Sequence, residues 1–295
     1  MSFIITPISR KLTVQVSDTR ITSFGGKSVL SETQRKTLVV LGSQARFVVG
    51  WVGMALDVTF RHNTGDWLYE TLRDMDAVAL TIDEIALRLE SLATTYVAGL
   101  TAHDKRLVFV MTGWQDSEPF VAIVSNYHIV ANKRSPDEAD KTHHIPTVTE
   151  ASVAAPTFKG NVQRYAKKTE QDYTVHAFGD FESKKLEPAF MGLERLMKKH
   201  APASEVAGAC RRITLEASTL SKTKSIGRNL IGVELDISGK SECWFYSESE
   251  NELAATLIPP ILGVEGSSRS AKIIYMRDGT VSIEGKTTRR TLFLI

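Results

Sequence analysis

Cysteine is scarce in this chain: Cys210 and Cys243 are the only two among 295 residues. Two are too few for a disulfide framework, and their separation has no metal-ligand spacing, so a reducing compartment is expected. A charge excess of one sign is also lacking. The 36 Lys and Arg offset 34 Asp and Glu to leave +2, scattered along the chain. That excludes a strong electrostatic case for nucleic acid or for an anionic membrane. No apolar run approaches the roughly 20 residues that cross a bilayer. The start of the chain lacks a basic stretch followed by a long apolar one, so no signal peptide is expected. Internal repeats and low-complexity runs are missing as well. What remains is a soluble, cytoplasmic chain of ordinary hydrophobic content, 42%, long enough for one large domain or two small ones.

What is present begins with two hairpins. Phe3–Ser9 and Leu12–Asp18 are expected to pair through a turn at Ser9-Arg10-Lys11, because Leu12 to Ser17 alternates apolar and polar residues. A loop with Gly25-Gly26 leads to a second pair, Thr37–Leu41 and Arg46–Val52, closed by Gly50-Trp51-Val52-Gly53. Met54 to Met75 then has helical spacing, with Asn63-Thr64-Gly65 as its weak point. Thr81-Ile82-Asp83-Glu84 is a capping box. It opens a helix whose apolar face carries Ile85, Leu89, Leu92 and Tyr96. Strands follow at Arg106–Thr112 and Phe120–Asn126, joined through Gly113–Pro119. Residues 131–171 hold prolines and charges but few large apolar side chains, and read as an excursion. Tyr173–Phe178 is a strand. Glu187–His200 is a helix with Pro188 in its first turn, and Ser204 caps another that reaches Leu220. Leu230–Ile237 and Glu242–Ser247 are strands, and Lys272–Met276 with Val281–Glu284 form a late hairpin.

Strands, two helices, strands, two helices, strands: this order implies separate layers. The expected fold is α+β, a four-layer αββα sandwich with two antiparallel sheets between helix pairs. Residues 1–250 form its main domain, and 251–295 form an extension packed on the same domain.

The chemistry concentrates at Ser2. A small residue after Met1 permits removal of the initiator, which leaves Ser2 with a hydroxyl and a free α-amine. An α-amine with a reference pKa of roughly 7.7–8 can serve as a general base near neutral pH. One residue then supplies nucleophile and base. It needs a cation, an acid to anchor that cation, and backbone N–H groups for the oxyanion. Asp18 ends the strand paired with the one that starts at Ser2. Lys36 enters the next strand, with Arg35 as its rival. Gly50 to Gly53 is expected to turn from strand into helix with outward amides.

These residues resemble the proteasome β-type subunits and the related bacterial ATP-dependent two-ring peptidase, which are N-terminal-nucleophile hydrolases. The resemblance rests on Ser2, on Asp18 sixteen residues later, and on Asp18-Thr19-Arg20-Ile21-Thr22. Lys36 and Gly50-Trp51-Val52-Gly53 continue it, and it runs to about residue 237. It implies catalytic roles for Ser2, Asp18 and Lys36, and an oxyanion donor near Val52–Gly53. It also implies substrate-backbone contacts from Thr22, a pocket floor at Gly50, and support from Gly179-Asp180 and from Ser225-Ile226-Gly227. Neither cofactor nor metal is implied. The partners implied are peptide or unfolded protein, a homo-oligomeric ring and an ATPase. The sequence departs from the pattern at Ser2, where Thr is usual, and at Lys222, where an acid is usual. Maturation is expected to rest on Met1 removal alone.

Two other functions fit the same residues. A catalytically silent relative would use the fold for structure or interaction, and a small-molecule amidase would use the same site on another substrate. His143-His144 has no partner at metal-binding spacing. Trp51, Trp67 and Cys210 read as core.

Overall fold

Strands β1 (Phe3–Ser9) and β2 (Leu12–Asp18) form the first hairpin, with Ile4 opposite Ser17 and Ile8 opposite Thr13. Ser9 builds the turn, its Oγ accepting from the amides of Lys11 and Leu12. The computed structural model describes the chain apart from residues 1, 24–27, 57–62, 103, 127–156, 165–172, 180, 182, 222–223, 239–240, 248–258, 264–271, 276–279 and 285–295.

A short ribbon follows, β3 (Ile21–Thr22) with β4 (Val29–Ser31). Then come β5 (Thr37–Leu41), β6 (Ala45–Gly53), α1 (Thr64–Asp74) and α2 (Ile82–Ala98). The middle of the chain supplies β7 (Leu107–Gln115), β8 (Glu118–Ser125), β9 (Lys159–Arg164) and β10 (Tyr173–Gly179). Helices α3 (Ser183–Lys198) and α4 (Ala203–Leu220) precede β11 (Leu230–Asp236) and β12 (Ser241–Tyr246). The last strands are β13 (Ile261–Gly263), β14 (Lys272–Tyr275) and β15 (Thr280–Glu284). The chain is therefore mixed α+β, with four α-helices among the described residues.

One sheet has seven strands in the order β10-β1-β2-β11-β12-β15-β14, and another has six, β13-β5-β6-β7-β8-β9. Neighbours are antiparallel except at one edge, where β13 runs parallel to β5. That strand departs from the two purely antiparallel sheets expected.

Alternation within the strands decides what each face meets. Phe47, Val49, Trp51, Phe109 and Met111 pack against Leu68 and Leu72 of α1 and Ile85 and Leu89 of α2. Phe3, Ile5, Val14 and Val16 pack against Leu186 and Phe190 of α3 and Val206, Cys210 and Ile213 of α4. The intervening residues of the same strands meet across the two sheets. Ile4 and Phe178 join Val52, Val108 and Val110 in one cluster, and Val233, Leu235 and Cys243 join Val39 and Val48 in another. Both faces of β1 are covered, which is why Phe3-Ile4-Ile5 is an unbroken apolar run.

Several boundaries differ from expectation. Asn63-Thr64-Gly65 is the start of α1, not a weak point within a helix from Met54. The Asn63 side chain accepts from the Gly65 and Asp66 amides at 2.8 and 3.4 Å. Gly50 to Gly53 lies wholly inside β6, so the expected strand-to-helix corner does not exist there. The hairpin of β7 and β8 turns on Asp116-Ser117 alone, both at positive φ (51° and 65°). Gly113 and Pro119 are strand residues. The excursion contains β9, an edge strand paired with β8. Helix α3 begins at Ser183, so Pro188 falls inside it. Pro202, not Ser204, is the cap residue of α4, without a side-chain bond. Leu92 leaves the apolar face of α2, at 44% exposure.

Candidate active site

The open end of the first hairpin brings Ser2 and Asp18 side by side. The Phe3 amide donates to Asp18 Oδ1 at 2.8 Å, which ties the start of β1 to the end of β2. Asp18 Oδ2 accepts from the amides of Arg20 and Gly227, each at 3.0 Å. It also takes Lys36 Nζ at 3.1 Å. Four donors match the acceptor capacity of one carboxylate. Asp18 and Lys36 are both wholly buried, and Ser2 is 5% exposed.

Lys36 completes the cluster. Its Nζ donates to Ser2 Oγ at 2.6 Å, to Asp18 Oδ2 at 3.1 Å and to the Arg20 carbonyl at 2.5 Å. Three acceptors match the three N–H bonds of an ammonium. Burial pulls the Lys36 pKa below that of a solvated lysine, and the Asp18 carboxylate opposes that pull. Lys36, not Arg35, is thus the residue whose side-chain nitrogen meets Ser2.

The residues around the cluster hold it in several ways. The Arg20 guanidinium pairs with Glu32, Nε to Oε1 at 2.8 Å, and Nη1 donates to the Lys224 carbonyl at 2.9 Å. Thr19 Oγ1 donates to the Glu32 carbonyl at 2.5 Å, and the Gln34 amide donates to the Thr19 carbonyl at 3.0 Å. Gln34 and Asn63 exchange side-chain amide bonds at 3.1 and 3.0 Å, which fastens the start of α1 to the segment leading into Lys36. Arg20, Glu32 and Gln34 were missed in the sequence because spacing gives no sign of these contacts.

The supporting positions are placed as follows. Gly179 pairs with Phe3 at φ +141°, and a Cβ there would lie 2.2 Å from the Ser2 carbonyl oxygen. Only a residue without a side chain lets β10 pass so close to Ser2. Asp180 and Lys222 lie outside the described residues. Ser225 is buried. Gly227 gives its amide to Asp18, and a Cβ there would lie 2.7 Å from Arg20 Cβ.

The expected substrate-binding positions are less gathered. Thr22 is half-buried in the β3–β4 ribbon, opposite Val29. Gly50 faces Thr37 across β5 and β6. The side where its Cβ would stand is filled by Gln15 Oε1 at 2.5 Å and Ile4 Cδ1 at 2.7 Å, so Gly50 does not floor an open pocket. Val52 is packed between the sheets, and Gly53 lies opposite Leu107 on β7.

Trp51 is core, and half-buried Trp67 stacks on Tyr96 with centroids 4.2 Å apart. Cys210 and Cys243 are free and buried. Burial raises both thiol pKa values, that of Cys243 to about 12. The two histidines His143-His144 fall outside the described residues. Among the described residues no cluster of His, Cys, Asp or Glu could hold a metal ion. Among them no helix is long and apolar enough to cross a membrane.

The Ser2 hydroxyl, the Lys36 amine and the Asp18 carboxylate, buried together at the start of a strand, define a Ser–Lys–Asp cluster on an α+β scaffold. No family model matches the chain, and no curated protein does. Among solved structures, Anbu (ancestral beta-subunit) from Yersinia bercovieri is similar at 14% identity and a TM-score of 0.48, over 84% of this chain and 88% of that one. The helical assembly of the Anbu complex from Pseudomonas aeruginosa is similar at 16% identity and a TM-score of 0.48, over 86% and 90%. The resemblance drawn from Ser2, Asp18 and Lys36 is corrected by these findings. These two structures are of ancestral beta-subunits, and their likeness is too weak to place the chain in the β-type subunit and two-ring peptidase family.

Proposed function

We propose that this protein is an N-terminal-nucleophile peptidase that cleaves peptide bonds through an acyl-enzyme on Ser2, built on a four-layer αββα scaffold. The observation that carries this reading is the buried Lys36 side chain, its Nζ 2.6 Å from Ser2 Oγ and 3.1 Å from Asp18.

Removal of Met1 frees the Ser2 amine. That amine takes the hydroxyl proton, directly or through a water, as Ser2 Oγ attacks the substrate carbonyl. Lys36 stabilises the charge that forms on the oxygen, and Asp18 fixes Lys36. Backbone amides stabilise the oxyanion, for which Val52–Gly53 at the end of β6, just past the Trp51 amide that donates to the Lys36 carbonyl, is our candidate. Thr22 is our candidate for substrate-backbone contacts. The amine returns the proton to the leaving nitrogen, the C–N bond breaks, and water then releases the acyl group from Ser2. Peptide or unfolded protein is the substrate class, and a homo-oligomer of like chains is the working form, which native mass spectrometry tests.

Intact mass with and without a peptide epoxyketone tests the reading. The expected result is loss of Met1 and one adduct, because that warhead needs both the hydroxyl and the amine of Ser2. A demethionylated protein that forms no adduct sinks it. One observation favours a second, silent reading: the Lys36 and Asp18 side chains are wholly buried, and a buried ion pair can serve structure alone.

A further inference from the structure

We propose that the Ser17–Thr37 hydroxyl pair is a positioning clamp that sets the Lys36–Asp18 geometry, a claim that rests on the site reading above. Asp18 belongs to β2 in the seven-stranded sheet, and Lys36 leads into β5 in the six-stranded one. Their ion pair therefore crosses from one sheet to the other, and its length depends on how the sheets sit at that point. Ser17 and Thr37 are the immediate chain neighbours of the two. Their hydroxyls meet at 2.9 Å, with Ser17 wholly buried and Thr37 4% exposed.

The surroundings make the pair conspicuous. Ile4, Val52, Val108, Val110 and Phe178 form an apolar cluster between the sheets at this end. Apolar contacts are non-directional and tolerate small slides, whereas a hydroxyl bond fixes distance and angle. Other polar links between the sheets involve Thr6 of β1, whose Oγ1 lies 2.9 Å from Thr112 Oγ1, and earlier residues of β2. Thr13 Oγ1 donates to Thr112 Oγ1 at 3.2 Å, and Gln15 Nε2 reaches the Val110 carbonyl at 3.5 Å. Thr13, Gln15 and Ser17 are alternate residues on one face of β2, and Ser17 is the one next to the site.

Stability does not account for the two hydroxyls. Replacing both partners of a buried hydrogen bond by apolar groups of the same shape is close to neutral, whereas removing one strands the other. The gain is direction. One bond pins the residue after Lys36 to the residue before Asp18, so Nζ stays within reach of both Ser2 Oγ and Asp18 Oδ2.

The test uses the full chain with Ser17→Ala, Thr37→Val, and both together. Lys36 is read by NMR of its ε-carbon across pH, with Asp18, Glu32 and Arg20 as charged groups acting on it and the freed α-amine of Ser2, whose Oγ it touches, as a further titrating group. The labelling rate by the epoxyketone and the split between kcat and KM for a peptide are read in parallel. The expected result is a displaced Lys36 midpoint in all three variants, with the double no worse than either single. Labelling and kcat should fall about tenfold, the scale of a sub-ångström misplacement, with KM unchanged. Thr37→Ser should restore both readouts. An unmoved Lys36 midpoint in the double variant overturns the clamp. A wild-type protein that never labels overturns the proposed peptidase instead, and the Lys36 midpoint still decides the clamp.

Discussion

Two ion pairs of the same formal kind sit in opposite surroundings. Lys36 and Asp18 lie at 3.1 Å with both side chains wholly buried. Arg73 and Asp74 lie at 2.8 Å on the exposed end of α1, with side chains 48% and 67% exposed. The shorter pair matters less. In water the attraction is screened, and holding two long side chains in place costs entropy. In the interior each charge has lost its hydration, so each depends on its partner. Distance alone therefore does not rank these contacts; the donors and acceptors around each charge do.

The sharpest way to break the comparison is Lys36→Met. It leaves the Asp18 carboxylate buried without its cation, and unfolding experiments should show a loss of about 3–5 kcal/mol, with labelling of Ser2 abolished. Replacing both charges by apolar residues often recovers stability in other proteins. Here Lys36→Met with Asp18→Leu should not, because Asp18 also accepts from the amides of Phe3, Arg20 and Gly227. Those donors would be left buried and unmet. A double variant as stable as wild type would show that the amides find other partners.

Gly179→Ala tests the same region from the strand beside it. The new methyl meets the Ser2 carbonyl, at a backbone angle that disfavours side chains. A cost of roughly 2–5 kcal/mol is expected, with Ser2 displaced from Lys36. Chemical denaturation and epoxyketone labelling read both effects, and an unaltered labelling rate would show that Ser2 is held by β2 alone.

These tests bear on what the sequence could reveal. Ser2 and Asp18 were legible together because a hairpin converts a sequence interval into proximity: β1 and β2 pair, so the chain start and Asp18 must meet. Lys36 lies outside that hairpin and was read from the resemblance, with Arg35 as its rival. The Thr81–Glu84 capping box was legible for the same local reason and forms as expected. The Asp116-Ser117 turn was not, because its positive φ values fall on residues other than the Gly and Asn that announce such turns. Asn63 was misread since an Asn-Thr-Gly run looks like a break, although Asn is a strong cap. Gly50 misled for a different reason: a missing side chain can admit a substrate or a neighbouring side chain, and here Gln15 and Ile4 fill the space. Glu32 and Arg20 act through contacts that only the folded chain creates.

His176 carries the comparison from paired charge to a buried group kept neutral. It lies on β10 opposite Thr6, near 6% exposure, its Nε2 3.2 Å from Thr174 Oγ1. Burial lowers its pKa to about 4 from 6.5. The unfolded chain therefore takes up a proton as pH falls through 6.5, while the folded chain resists until about 4. Stability attributable to His176 is complete above pH 6.5 and is lost on acidification, by about 3 kcal/mol at the lower limit. His176→Gln should flatten that part of the stability profile between pH 7 and 4. An unchanged slope would mean that carboxylates, not this imidazole, govern the acid limb.

At the far end of the scale stands the surface pair. Arg73 and Asp74 are adjacent in sequence and face water, so neither depends on the other for its hydrogen bonds. Asp74→Ala should leave the melting temperature unchanged, and added salt should alter wild type and variant alike. If Asp74→Ala destabilised the protein as much as Lys36→Met, exposure would not be what divides these pairs, and the case for a dependent, buried site at Ser2 would lose its physical basis.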